Sequence, residues 1–336
     1  TKGALGLKEI ANSLSKALTI KSSQSPEGVS DVVKITDLLF ASTGVIGEEF
    51  PYLKIKDRIP ELVKKLKIEQ NKYVWFKAAS AITTTDTRVK VAYEECKIGN
   101  KLIKISGIAK GSGMIAPNMA TMLSFIFTDA NIPSVFLKSI LKKITATTFN
   151  SISVDNDMST NDMVGIFATG KAKNSKLYNV LDPKLQDFEK ALHRLCLNLA
   201  KQIVVDGEGA KKFITIKVIG AKSISMAKNI GFSIANSPLF KTAIAGEDPN
   251  WGRIVMAIGK SGENIVPNKV QIKIGDYLVA EQNMVAKDYN EKMIKKYMEW
   301  DSIQIEVNLN IGNGSFTTYT CDFTHDYIDI NADYRN

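Results

Sequence analysis

Histidine is scarce: the 336 residues hold two, His193 and His325. A Ser-His-Asp or Cys-His hydrolase needs one of them as its base. His193 lies in EKALHRLCLNLAKQI, a helical pattern whose only neighbouring nucleophile is Cys196. Their i, i+3 spacing predicts a helix-surface histidine and a buried core cysteine. His325 lies in CDFTHDYIDINADY, which alternates like a strand. There Cys321 and His325 share a face but stand four residues apart, too far for a proton to pass between them. Any acyl-transfer chemistry must find its base elsewhere.

Cysteine is also sparse. Cys96, Cys196 and Cys321 are an odd number without a CxxC spacing, which argues against a disulfide framework or a zinc site and leads to the expectation of a reduced, intracellular protein, placed in the cytoplasm. No run of 18 apolar residues exists, so no transmembrane helix is expected. The start at Thr1 shows no basic region followed by an apolar core, so no secretory signal is expected. A chain beginning on Thr is expected to be processed or to lack its true beginning. Apolar residues make up 44% and charged residues 24%, enough core-forming side chains to exclude disorder. Lys and Arg number 44 against 35 Asp and Glu, a net charge of +9, which suits an anionic substrate or weak polyanion attraction. The length fits about two domains of ~150 residues or one large interlocked body.

Periodicity predicts interleaved helices and strands. GLKEIANSLSKALTI reads as an amphipathic helix, KSSQSPEGVSD as a loop, KITDLLFA as a buried strand, and the second half of PYLKIKDRIPELVKKLKI as a helix. TRVKVAYEE, KLIKISGIA, TMLSFIFTDA and MVGIFATGKA read as strands. SVFLKSILKKITATTFN and PKLQDFEKALHRLCLNLAKQIV read as helices. Next come a strand in KKFITIKVIGA, a helix in SPLFKTAIA, and RIVMAIGKSG, whose pattern fits strand or helix. Alternating strands follow in NKVQIKIGDYLVAE, SIQIEVNLNIG and SFTTYTCDFTHDYIDINADY. The fold class is α/β (α+β), in layers.

Five segments are polar where a core element should be apolar, the kind of local rule-breaking expected at functional sites. They fall at residues 42–47, 83–87, 110–123, 153–162 and 246–253. Gly111-Ser112-Gly113 lacks either phosphate-loop spacing, which argues against nucleotide binding. In Asn118-Met119-Ala120-Thr121 a Thr follows a small Ala at a strand start. If the Ala120–Thr121 bond were cut, Thr121 would gain an α-amine of intrinsic pKa ~7.7–8 that could take the proton of its own hydroxyl. From these residues alone, a plain strand Thr is the favoured reading of Thr121, since Ala-Thr pairs are common. Asp155-x-Asp157-x-Ser159 resembles the start of a calcium loop but has Thr160 in place of the turn Gly and Ile166 in place of the closing Glu. Its carboxylates are expected to satisfy backbone donors in tight turns. The threonines of 83–87 fit an edge strand or a row of hydroxyls facing a substrate.

Taken together, STGVIG, KGSGMIAPNMATML, SVDNDMSTND, DGEGAKKF, NSPLFKTAIAGEDPNWGRI and CDFTHDYIDINADYRN resemble the ornithine acetyltransferases, the glutamate N-acetyltransferases of the cyclic arginine pathway. The resemblance implies two central β-sheets flanked by helices, in a self-cleaving body of N-terminal-nucleophile type. Cleavage between Ala120 and Thr121 would give an α chain, 1–120, and a β chain, 121–336, that stay interlocked. Thr121 would be the nucleophile, with Thr43 and Gly44 forming the oxyanion hole. Thr84, Lys110, Thr121, Glu208, Asn331 and Asn336 would bind substrate. The substrates would be N-acetylornithine and glutamate in a ping-pong cycle, with acetyl-CoA as a possible further donor. No metal or nucleotide cofactor, no nucleic acid and no membrane are implied. Two α and two β chains would form a heterotetramer. The runner-up activities are a related amidohydrolase or aminopeptidase with water as acceptor, and a truncated, inactive homologue. Two departures from the family pattern stand out. A segment that precedes the first helix in the family, with part of its sheet and an Asn-rich motif, is not in this sequence, which would expose apolar sheet surface. The chain also ends NADYRN where the family has NADYRT, so an amide replaces a hydroxyl at Asn336.

Overall fold

The computed structural model describes residues 2–23, 32–45, 47–66, 71–116, 122–158 and 161–332. Two units divide the chain, residues 1–75 and residues 76–335.

In the first unit, α1 (Lys2–Ser23) and α2 (Tyr52–Lys65) bury Ile10 against Ile59 and Val63, with Leu14, Leu18, Phe40 and Tyr52 around them. Gly6 permits the approach: a Cβ there would lie 2.8 Å from the Tyr52 ring. α2 covers all of YLKIKDRIPELVKK rather than its second half, with Pro60 inside it. KITDLLFA is not the buried strand expected. Ile35–Asp37 is a single 3-10 turn, and Leu39 is 73% exposed. Asp37 accepts the Lys34 amide at 2.9 Å, so a local side-chain bond takes the backbone donor a strand would have used.

The second unit begins with the end of α3 (Lys72–Ala81), which was not anticipated from the sequence. A hairpin follows: β1 (Lys90–Ile98) and β2 (Lys101–Lys110) turn at Gly99, whose φ of +61° suits glycine. β3 (Leu123–Thr128) runs antiparallel to β2. After α4 (Ser134–Thr145), β4 (Met163–Ala168) joins β3 in parallel, closing a four-stranded sheet in the order β1-β2-β3-β4. α5 (Gln186–Val205) covers this sheet with Leu192, Leu195, Cys196 and Leu199, all fully buried against Ile103, Ile105 and Ile126. Gly107 lets the helix sit close, since a Cβ there would fall 2.8 Å from Leu199 Cδ1.

β5 (Phe213–Ala221) opens a second sheet, and three helices follow it: α6 (Ile224–Ala235), α7 (Pro238–Ala245) and α8 (Trp251–Gly259). RIVMAIGKSG therefore resolves to helix. β6 (Gln271–Ile274), β7 (Tyr277–Glu281), the short β8 (Met284–Val285), α9 (Glu291–Met298), β9 (Ser302–Asn308) and β10 (Gly314–Cys321) complete a six-stranded sheet in the order β10-β5-β9-β6-β7-β8. The β5–β9 pair is parallel. The two helix-flanked sheets give the layered α/β class the sequence predicts.

One further expectation is corrected. The alternating segment after β10 does not continue as a strand: His325–Ala332 is a helix, α10. Asp322 accepts the amides of Lys211 and Lys212 at 2.8 and 2.9 Å, and Thr324 Oγ1 donates to Gly209 O at 2.7 Å. These bonds turn the chain out of the sheet. Cys321 and His325 therefore do not share a strand face. The expectation for His193 holds: Cys196 is fully buried, its thiol pushed up to about 12 by burial, while half-buried His193 has Thr147 Oγ1 3.1 Å from Nε2. All three cysteines are free.

Candidate active site

Three loops converge at the end of β2. The first, between α3 and β1, carries Thr83–Thr87. The second, after β2, carries Lys110–Gly113. The third, after α5, carries Asp206–Gly209. The threonines of the first loop form neither an edge strand nor a free row of hydroxyls, because each is tied down. Thr83 Oγ1 donates to Ser80 O at 2.8 Å, Thr85 Oγ1 pairs with Ser112 Oγ at 2.7 Å, and Thr87 gives both its hydroxyl and its amide to Asp206. Thr84 Oγ1 accepts from Lys110 Nζ at 3.0 Å.

Lys110 closes β2 with 2% of its surface exposed. Burial holds its ammonium below the ordinary lysine range, partly offset by attraction from Asp86, Asp162 and Glu208, while Lys90 repels it. Two of its three N–H groups have no acceptor among the described residues. A desolvated cation with donors to spare suits a carboxylate ligand.

Glu208 is fixed by its amide, which donates to Ser112 O at 3.0 Å, and by its carboxylate, which accepts from Asn331 Nδ2 of α10 at 3.0 Å. Gly113 makes room, since a Cβ there would overlap the Glu208 carboxylate. Gly209, at φ +70°, lets α10 pack onto the loop: a Cβ there would fall 2.9 Å from the carbonyl carbon of Asp326. The correction at α10 thus carries functional weight, because the helix brings Asn331 to Glu208.

β3 starts beside this cluster. The Met122 amide donates to Asp162 Oδ1 at 2.7 Å. Burial raises the Asp162 carboxyl to about 6, against the lowering pull of the Met122 amide and Lys110. A cavity of about 290 Å³ adjoins it, lined by Met122, Leu141, Phe149, Asp162 and Val164 among others. The larger recess of about 480 Å³ that holds His193 shares none of the site's residues.

The structure thus brings Thr84, Lys110, Glu208 and Asn331 together in pairs within the second unit. Thr43 and Gly44 lie in the first unit, in a stretch without regular structure. Thr121, Ala120 and Asn336 lie outside the described residues. Asp155 spends its carboxylate on the amides of Met114, Ile115 and Asp157, at 2.6, 2.9 and 3.3 Å, as expected for a turn carboxylate. Asp86 and Asp162 lie in segments the sequence marked but were given no role of their own, and Lys90 and Asp206 were not singled out. Nothing in the pattern of β1 marked Lys90, because its inward positions also hold Glu94 while the apolar Val91 and Tyr93 face outward.

Fold and site define a layered α/β protein with a buried cation and a fixed carboxylate at the mouth of one sheet. The family model described as the ArgJ family matches residues 7–336, and the chain belongs to that family. The arginine biosynthesis bifunctional protein ArgJ of Brucella melitensis is 48% identical over 304 residues, covering 90% of this chain and 73% of the relative. The protein of that name from Gluconobacter oxydans is 48% identical over 300 residues, covering 89% and 70%. The crystal structure of arginine biosynthesis bifunctional protein argJ from Bacillus halodurans matches with a TM-score of 0.59 and 44% identity, over 61% of this chain and 96% of that one.

Proposed function

We propose that this chain is a glutamate N-acetyltransferase of arginine biosynthesis, moving the acetyl group from N2-acetyl-L-ornithine to L-glutamate through an ester on Thr121. One observation carries this reading beyond family membership: buried Lys110 and the Asn331-held Glu208 place opposite charges on loops that Ser112 joins, beside the strand that begins at Leu123. An N-acetylated α-amino acid presents an α-carboxylate to a cation such as Lys110. Ornithine adds a side-chain ammonium for Glu208.

The cycle follows from those charges. Cleavage of the Ala120–Thr121 bond frees an α-amine, giving chains 1–120 and 121–336. The amine takes the Thr121 hydroxyl proton as Oγ attacks the acetyl carbonyl, and an oxyanion forms. Collapse breaks the C–N bond, the Thr121 ammonium returns its proton to the departing ornithine amine, and acetyl-Thr121 remains. The glutamate amine then attacks the ester, and N-acetylglutamate leaves as the hydroxyl is restored. Thr43 and Gly44 keep the oxyanion role implied by the resemblance, worth roughly 3–4 kcal/mol per donor. Thr84 steadies Lys110. Asn336 keeps its assignment at the substrate, as an amide where the family has a hydroxyl. No metal or nucleotide cofactor enters a step. The two chains remain associated, pair as two of each, and work in the cytoplasm. Among the described residues no helix is long and apolar enough to cross a membrane.

Intact mass of the purified protein is the test. Two fragments split at Thr121, with ornithine release accelerated by glutamate, are expected. Thr121→Ala should yield one uncut chain without transfer, and normal turnover in that variant would refute the nucleophile. Ornithine release indifferent to glutamate would favour the hydrolase instead. Acetyl-CoA with glutamate alone tests the second donor.

A further inference from the structure

Lys90, at the first position of β1, is 1% exposed and spends its whole ammonium inside the protein. It donates to Asp86 Oδ1 at 2.6 Å, to Arg88 O at 3.1 Å and to Asp206 Oδ2. The side chains of Asp86 and Asp206 are 0% and 2% exposed. Each carboxylate also holds backbone from the site loops. Asp86 accepts the Gly111 amide at 2.7 Å and the Thr84 amide at 3.1 Å. Asp206 accepts the amides of Thr87 and Arg88 at 3.1 and 3.2 Å. Glu208 follows Asp206 by two residues. One ammonium therefore ties together the loops that carry Thr84, Lys110 and Glu208.

The charges decide what this tie does. Lys90 is the ammonium bonded to both Asp86 and Asp206, while Lys110 is drawn by Asp86, Asp162 and Glu208 together. Without Lys90, Asp86 and Asp206 would lose the cation they share. An uncompensated buried charge is costly, and the cation already attracted by Asp86 is Lys110. It would turn toward Asp86 and away from a substrate anion.

We infer that Lys90 is a positioning residue for the acyl donor: by satisfying Asp86 and Asp206 it leaves Lys110 free for the donor's α-carboxylate and holds the three site loops in register. This rests on Lys110 being the substrate cation.

The test is steady-state kinetics with N-acetylornithine on the whole self-cleaved protein, with urea unfolding recorded for each variant. Lys90→Met should raise KM for N-acetylornithine about tenfold or more, the scale of a lost charge-assisted hydrogen bond, while kcat changes far less. Adding Asp86→Asn in the same chain should return KM to near wild type. The amide oxygen still accepts from Gly111, its NH2 gives up the Thr84 bond, and the neutral side chain no longer captures Lys110. A merely structural role lowers the urea midpoint and the active fraction, and leaves KM where it was. An unchanged KM in Lys90→Met overturns the inference, as does a raised KM that Asp86→Asn fails to restore. Should the single variant not fold, the charge-balanced double decides: wild-type KM supports the inference, and a KM still raised tenfold overturns it. Lys110→Met in the wild-type background separates the layers. If it leaves KM unchanged, the substrate reading itself fails; if it raises KM while Lys90→Met does not, only the role of Lys90 falls.

Discussion

The two sheets of residues 76–335 meet the interior differently. The six-stranded sheet presents Ile214, Ile216, Val218, Ile303, Ile305 and Val307 to α6 and its neighbours, an apolar face that demands only shape. The four-stranded sheet starts the same way, with Ile103, Ile105 and Ile126 under α5. At the end where β1 begins and β2 stops, it switches to Lys90, Lys110, Ser112 and Asp206, all buried. A buried ion cluster seldom adds stability over a well-packed apolar one. The six-stranded sheet also buries Lys212, Lys241 and Asp322, but these bond largely main-chain groups, whereas Lys90, Asp86 and Asp206 form ion pairs buried on both sides; that cluster marks where the protein trades packing for a functional charge arrangement. The other sheet acts as scaffold.

Removing charge from the polar end should cost most. Asp206→Ala leaves Lys90 with half its counter-charge and strips the Thr87 and Arg88 amides of their acceptor, so urea unfolding should show a loss of about 3–5 kcal/mol. A loss under 1 kcal/mol would mean that the cluster is hydrated and the contrast between the sheets is weaker than drawn. On the apolar side, Ile305→Ala, at 1% exposure, should cost about 2–5 kcal/mol without moving KM. A change in KM there would break the assignment of that sheet as scaffold. Gly107→Ala forces a Cβ to within 3 Å of Leu195 and Leu199 and should cost roughly 1–3 kcal/mol through overpacking. Finally, the folded Asp162 carboxyl is raised from 3.8 to about 6 by burial. The folded protein therefore binds more protons than the unfolded chain between those values, and its stability falls as pH rises from about 4 to about 6. Asp162→Asn keeps an acceptor for the Met122 amide and should flatten that slope in urea midpoints measured across the window. An unaltered slope would assign the pH dependence to another group.

Much of this was legible in advance. The helix at 186–205 announced itself through a clean apolar stripe, and the motif segments pointed to Lys110, Glu208 and Asn331 before any coordinate did. Two local misreadings share one cause. KITDLLFA and the stretch after Cys321 carry strand-like composition, yet Asp37 in one, and Asp322 with Thr324 in the other, bond backbone groups that would otherwise join a ladder. Side-chain competition of this kind depends on geometry that composition does not encode. Lys90 and Asp206 were missed for another reason. Sequence separations of 116 and 119 residues link Asp206 to Lys90 and Thr87, and no local pattern reports a pairing made only when α5 lies across β1 and β2.

Taken alone, the order of residues argued against a histidine base and a disulfide framework, and showed that helices and strands interleave and which family the motifs resemble. The first two follow from composition and short-range periodicity, and the last from the resemblance of particular segments; all are properties of the chain itself. Tertiary structure alone decided that a lysine at a strand start would sit beneath three loops, and that the last described segment would coil into a helix carrying Asn331 to Glu208. The first depends on burial, where removal from water forces the Lys90 ammonium to find Asp86 and Asp206 across the fold; the second depends on the bonds that Asp322 and Thr324 make to the 209–212 loop, which turn the chain out of the sheet.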